Sequence, residues 1–331
     1  MTSAYDEVTS STGTPNLMSS TITTTNISLF VSSTCDPDHI SQTLLCFLLV
    51  AEILIGSVTV LLNCLATIST YYALPLALEH RQSLGAISLN YAFIAGVLLA
   101  RAAFLVFTVF TTCNSTVSTA NCKLQEFPLV FVYMMAAILP ILLGLQFLRR
   151  QSESLKRITW FNACNVHQIF VAICSMFVAL FFTGFDEELE EKYLRHCTII
   201  RAIHQKGMTF SLLALLIGFH AFTLFVWQVV VRIRGPSRDD YSIADIGSQL
   251  CTETVAWIFM LMVSGFLSVY EYVSAEVDDQ LINFAYETTL VVCPLILSFV
   301  RSILLLWTVI PVRFAAIRVF PLSSHFLHFD Y

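Results

Sequence analysis

A polar opening gives way, after about 43 residues, to seven stretches in which apolar side chains run on almost without interruption. They lie at 44–65, 87–110, 127–148, 164–183, 208–231, 251–272 and 284–307. A bilayer core about 30 Å thick needs about 20 apolar residues at a helical rise of about 1.5 Å, so each stretch is long enough to cross it. None alternates in the manner of a barrel strand, and lipid offers no partner to an open backbone, so all seven are expected to be helices. Six charged residues fall inside them, Glu52, Arg101, Glu253, Glu271, Glu287 and Arg301; the others sit in the gaps. The pattern predicts an all-α membrane protein. A Ser/Thr-rich tail covers 1–43, a seven-transmembrane helix bundle 44–310 and a short tail 311–331.

Composition removes the soluble alternatives. Only 12% of the 331 residues are charged and 56% are hydrophobic, against roughly 25% charged in a soluble domain. A net charge of −6 gives no basic surface for nucleic acid. Charge also sets an expected orientation, since cationic loops resist translocation. With the N-terminus outside and the C-terminus cytoplasmic, ten Lys and Arg fall in the inner loops and tail and five in the outer segments. Two acceptor triplets for N-glycosylation, at Asn26 and Asn114, then both lie outside. The first 30 residues carry no apolar signal core, so the first span is expected to direct insertion.

The same topology sorts the cysteines. Cys35, Cys113, Cys122 and Cys197 fall on the outer side, where four cysteines allow two bridges in three connectivities. The favoured bridge joins Cys122, above the third span, to Cys197 in the long fourth loop, leaving Cys35 and Cys113 as a second pair.

A seven-helix bundle with its N-terminus outside, a cysteine at the outer start of the third helix and another in the following outer loop resembles a G protein-coupled receptor. It is most similar to the nematode serpentine chemoreceptors of the alpha and alpha/beta classes. Cys113 and Cys122 match that family's paired cysteines, Pro128 follows the second at six residues, and Pro294 with Arg301 is a looser match in the last helix. The resemblance implies a small environmental molecule as ligand, a heterotrimeric G protein as partner and the ciliary membrane of a chemosensory neuron as location. It leaves a dimer open. The family's acidic–Arg pair at the inner end of the third helix falls here on Gln146 and Phe147, so the pair is absent. Arg149, Arg150, Lys156, Arg157, Arg232, Arg234 and Arg238 are the candidate G protein contacts.

An ionisable group in hydrocarbon costs at least about 2.5 to 3.5 kcal/mol and usually faces a partner or a cavity. Glu52 and Arg101 lie at similar depths below the outer ends of the first two spans and are expected to pair with each other. Glu271, Glu287 and Tyr286 near the outer ends of the last two spans join them as candidate ligand contacts, around a ligand placed between the third, fifth, sixth and seventh helices. Glu253 and Arg301 are expected to snorkel or pair toward the inner side. Residues 312–320 read as a short amphipathic helix with Arg313 and Arg318 toward headgroups.

No phosphate loop, metalloprotease, redox or nucleophile-elbow motif is present, so no enzyme, cofactor or metal is expected. Two other membrane classes fit the hydropathy. A seven-helix ligand-gated channel would reverse the orientation, and a small-solute transporter would ordinarily show an internal repeat, which these spans lack.

Overall fold

A computed structural model describes residues 39–76, 78–112, 117–151, 164–184, 193–194, 197, 203, 206–234, 241–273 and 279–320. Six long helices follow one another: α1 (His39–Tyr72), α2 (Leu78–Thr112), α3 (Thr119–Gln151), α4 (Cys164–Thr183), α5 (Lys206–Arg234) and α6 (Tyr241–Val273). The seventh span is composite. It runs as α7 (Asp279–Glu287), a π-helical turn (Thr288–Val292) and α8 (Cys293–Thr308), and α9 (Ile310–Val319) follows. Seven of these segments are long and apolar enough to cross a membrane. A two-residue ladder joins β1 (Val117–Ser118) to β2 (Tyr193–Leu194) in antiparallel register, Val117 opposite Leu194.

All the spans but α4 outrun the apolar stretches that announce them. α2 begins at Leu78 and α3 at Thr119, well before the expected 87 and 127, because helix propagation is cooperative and does not stop at the first charge. At the start of α3, Ser118 Oγ accepts the Asn121 N–H at 3.3 Å and caps it. α4 closes on Gly184, whose φ of +22° turns its N–H back onto the Leu180 carbonyl at 2.9 Å.

α3 is the most buried of the seven spans and packs on α2, α4 and α5, while α1 packs on α2, α8 and α9, and α8 also meets α2 and α6. Helices of this kind gain nothing from hiding apolar surface from lipid, so close packing and internal polar contacts hold them together. The α3–α5 crossing shows the packing term. A Cβ at Gly144 would lie 2.6 Å from Val226 Cγ1, and Trp227 fills the space between Gly144 of α3 and Gly247 of α6. Phe170, Phe177 and Phe181 on α4, with Phe259 and Phe266 on α6, face outward, as suits a lipid-facing surface.

The π-turn has a local cause. Pro294 has no N–H, so the Leu290 carbonyl four residues back loses its helical donor. The Cys293 N–H returns instead to Thr288 O in the wider π register, and Tyr133 of α3 donates its hydroxyl to Leu290 O. Asn63 of α1 donates to Ser298 Oγ of α8 at 3.1 Å, and Asn90 of α2 to the Val132 carbonyl of α3 at 3.1 Å. α9 corrects an expectation. Arg313 is buried rather than turned to headgroups, because α9 packs against α1 and places the guanidinium 5.9 Å from the Phe314 ring.

Candidate functional site

Cys122, one turn into α3, and Cys197, just after β2, are joined by a disulfide. The cystine lies at the end of the bundle where α2 finishes and α3 begins, and below it a group of charged side chains is sealed inside. Arg101 on α2 is their hub. Its Nε donates to Glu126 Oε1 on α3 at 3.0 Å, and its Nη2 donates to Glu287 Oε2 on α7 at 3.0 Å and to the Cys197 carbonyl at 2.8 Å. Nη1 completes the fork by donating to Glu287 Oε1. Bidentate pairing of this kind suits a planar guanidinium and fixes its orientation. Arg101, Glu126 and Glu287 are all buried.

The pairing of Glu52 with Arg101 expected from their depths does not form. Four of the five guanidinium N–H groups are taken by α3, α7 and the cystine segment, and Glu52 on α1 is 2% exposed with both carboxylate oxygens lacking a hydrogen-bond partner. It remains within electrostatic reach of Arg101 and Glu287. Glu126 has a partner on one oxygen, and its Oε2 has none. Glu126, Glu287, Arg101, Tyr286 and Leu290 line a cavity with room for one water-sized occupant, about 10 Å³. Tyr286 is buried, its hydroxyl 3.1 Å from both Ser268 Oγ and Glu271 Oε2. Nearby, Lys123 turns to the Gly184 carbonyl at 2.7 Å.

A second charged node lies farther along α2 and the seventh span. Arg301 Nε on α8 donates to Glu253 Oε2 on α6 at 2.9 Å, so the two snorkelling candidates pair with each other. Tyr91 of α2 donates to the other Glu253 oxygen, accepts the Trp257 Nε1–H at 2.9 Å, and lies under the Arg301 guanidinium at 4.7 Å. His220 of α5 stacks on Trp257 at 5.5 Å. This node balances one carboxylate with one guanidinium. The Arg101 node sets three carboxylates against one.

At the bundle's opposite end, Gln146 accepts a hydrogen bond from Ser83 at 2.7 Å, and Phe147 stacks on His80 with centroids 3.9 Å apart. Ser83 and His80 thus join α2 to α3 at Gln146 and Phe147, where the resemblance would place an acidic–Arg pair. Arg149 lies in the last turn of α3 and Arg232 is exposed near the end of α5. Asn26, Cys35, Cys113, Asn114, Lys156, Arg157 and Arg238, with the side chains of Arg150 and Arg234, lie outside the described residues.

The apolar runs signalled Glu52, Arg101 and Glu287 but missed Glu126, whose position one residue before the expected third span made it look like a loop residue. Its spacing of four from Cys122 puts both on one helical face and was the available sign. Tyr91, Trp257 and Tyr133 were also missed, since aromatics in apolar runs carry no mark of their hydrogen bonds. Among the described residues no group of three or more His, Cys, Asp or Glu side chains is placed to hold a metal ion.

No protein-family model matches the chain. A Caenorhabditis elegans protein described as uncharacterized is 32% identical over 304 residues, which cover 91% of this chain and 82% of that protein.

Proposed function

This chain belongs to the same family as that Caenorhabditis elegans protein, and we propose that it is a chemosensory seven-helix receptor, coupled to a heterotrimeric G protein. The cystine end faces outward at the cell surface, by resemblance on a sensory ciliary membrane. The observation that carries this reading is the Arg101 hub. One side chain joins α2, α3, α7 and the disulfide-anchored segment, so a small molecule acting on it would be felt by all four. The charged groups of the Arg101 node sit on the first, second, third and seventh spans, and the ligand's polar contacts are assigned there in place of the site between the third, fifth, sixth and seventh helices expected from the sequence.

A ligand shifts a bundle between two packings only by differing in its affinity for them. Contacts that replace part of the Arg101–Glu287 fork would favour a packing in which α2 and the seventh span separate. The Ser83–Gln146 and His80–Phe147 contacts are where that change would reach the opposite end. Arg149, Arg150, Lys156, Arg157, Arg232, Arg234 and Arg238 are assigned to the G protein surface.

Epitopes at each chain end, stained on intact and permeabilised cells, test the orientation. The N-terminal tag is expected to be visible on intact cells and the C-terminal tag only after permeabilisation, with a glycosidase shift lost on replacing Asn26 and Asn114. The reverse staining would discard the receptor reading and point to a channel. Replacing Arg232, Arg234 and Arg238 together should then keep surface expression and reduce second-messenger output; unchanged output removes that contact assignment.

A further inference from the structure

We propose that the cavity beside Arg101 binds a small primary ammonium group, held by Glu126 and Glu287 and favoured by the charge of Glu52. The proposal rests on the receptor reading only in naming the chemical class of its ligand, and the binding it asserts stands or falls separately.

Three facts converge. The first is charge: Glu126 and Glu287 both pair with the single Arg101 guanidinium, and Glu52 lies within electrostatic reach of it, while the Arg301 node pairs one guanidinium with one carboxylate. A cation entering the Arg101 node brings it nearer neutrality, and an anion would take it farther away. The second is unused hydrogen-bonding capacity. Glu126 lines the cavity and its Oε2 is buried without a partner, as are both oxygens of Glu52. A buried carboxylate oxygen with no donor carries its full desolvation cost, and a charged donor relieves that cost more than a neutral one. The third is size. Room for one water-sized occupant, about 10 Å³, admits an –NH₃⁺ head, which presents three donors and no acceptor. It does not admit a trimethylated nitrogen. Tyr286 adds an aromatic residue to the lining.

Glu52 is a positioning charge. It does not line the cavity, and its effect on the ammonium is electrostatic, exerted alongside the Glu287 carboxylate.

The test uses the full chain in phosphatidylcholine nanodiscs, its unfolding midpoint followed by tryptophan fluorescence. The probes are methylammonium chloride, tetramethylammonium chloride and sodium chloride at equal ionic strength, at neutral and at acidic pH. Methylammonium is expected to raise the midpoint saturably at neutral pH, the other two not. Glu126→Gln should abolish the shift. Glu52→Gln should raise the half-saturating concentration about tenfold, equivalent to about 1.4 kcal/mol; it alters no cavity-lining residue, so it decides the matter if Glu126→Gln fails to fold. Equal shifts with sodium, an unchanged dose response in Glu52→Gln, or stabilisation by acid to which methylammonium adds nothing would each overturn the proposal. No G protein is present, so a chain that binds methylammonium here yet fails to couple in cells would remove the receptor reading and leave the ammonium site intact.

Discussion

Replacing Arg101 by Met leaves Glu126, Glu287 and the Cys197 carbonyl without their common donor. Removing one partner of a buried ion pair costs about 3–5 kcal/mol, because the remaining charge is still buried. The variant is therefore expected to unfold at a markedly lower temperature in detergent than Arg232→Met, which loses only an exposed charge. At the second node, Arg301→Met and Glu253→Gln should each destabilise, whereas the double variant should recover much of the loss, since an ion pair replaced as a unit is often near neutral. A double-variant cycle on thermal midpoints measures this, and strict additivity would show that the pair is not coupled. Residues of this kind were legible where an ionisable group interrupts an apolar run, as at Glu52, Arg101 and Arg301. Partner choice was not legible. Depth alone suggested Glu52 for Arg101, but the fork is settled by the direction in which α3 and α7 present Glu126 and Glu287.

Helix identity was plain from the apolar runs, and helix irregularity was not. Pro294 signalled only that one hydrogen bond would be missing; that the segment answers with a π-turn and borrows the Tyr133 hydroxyl depends on how α3 lies against it. Tyr133→Phe should cost about 0.6 kcal/mol, the average for a hydrogen bond between membrane helices. In a Pro294→Ala background, where the Leu290 carbonyl regains a backbone donor, the same change should cost less. An equal cost in both backgrounds, read by thermal unfolding, would separate the tyrosine from the proline. At the α3–α5 crossing, Gly144→Ala places a methyl group where Val226 stands and is expected to cost about 1–3 kcal/mol as overpacking. Gly96→Ala serves as the control: a Cβ at Gly96 meets nothing within 4 Å. The sequence marks both simply as glycine. Which one is a contact follows from the crossing geometry.

Across the whole molecule, covalent and ionic ties converge on the Cys197 segment: the bridge to Cys122 holds it to α3, and its carbonyl receives Arg101. Cys122→Ser with Cys197→Ser is accordingly expected to lower the thermal midpoint, and to make Arg101→Met less damaging than in the bridged chain, since one acceptor of the guanidinium is then no longer fixed. Equal damage in both chains would show that the two ties act independently. α4 has a different bearing on the molecule. Its 20 residues measure about 30 Å along the axis, while the helices of the other uninterrupted spans run from 29 to 35 residues. The longer rods can tilt to suit a thicker bilayer; α4, about as long as the hydrocarbon is deep, has the least length to spare among the described spans. Hydrophobic mismatch would therefore fall first on its Gly184 turn and on the Lys123 contact that holds the turn to α3. Membrane thickness, and with it the choice of organelle or of lipid for reconstitution, becomes a variable that acts on this protein through the shortest of its seven spans.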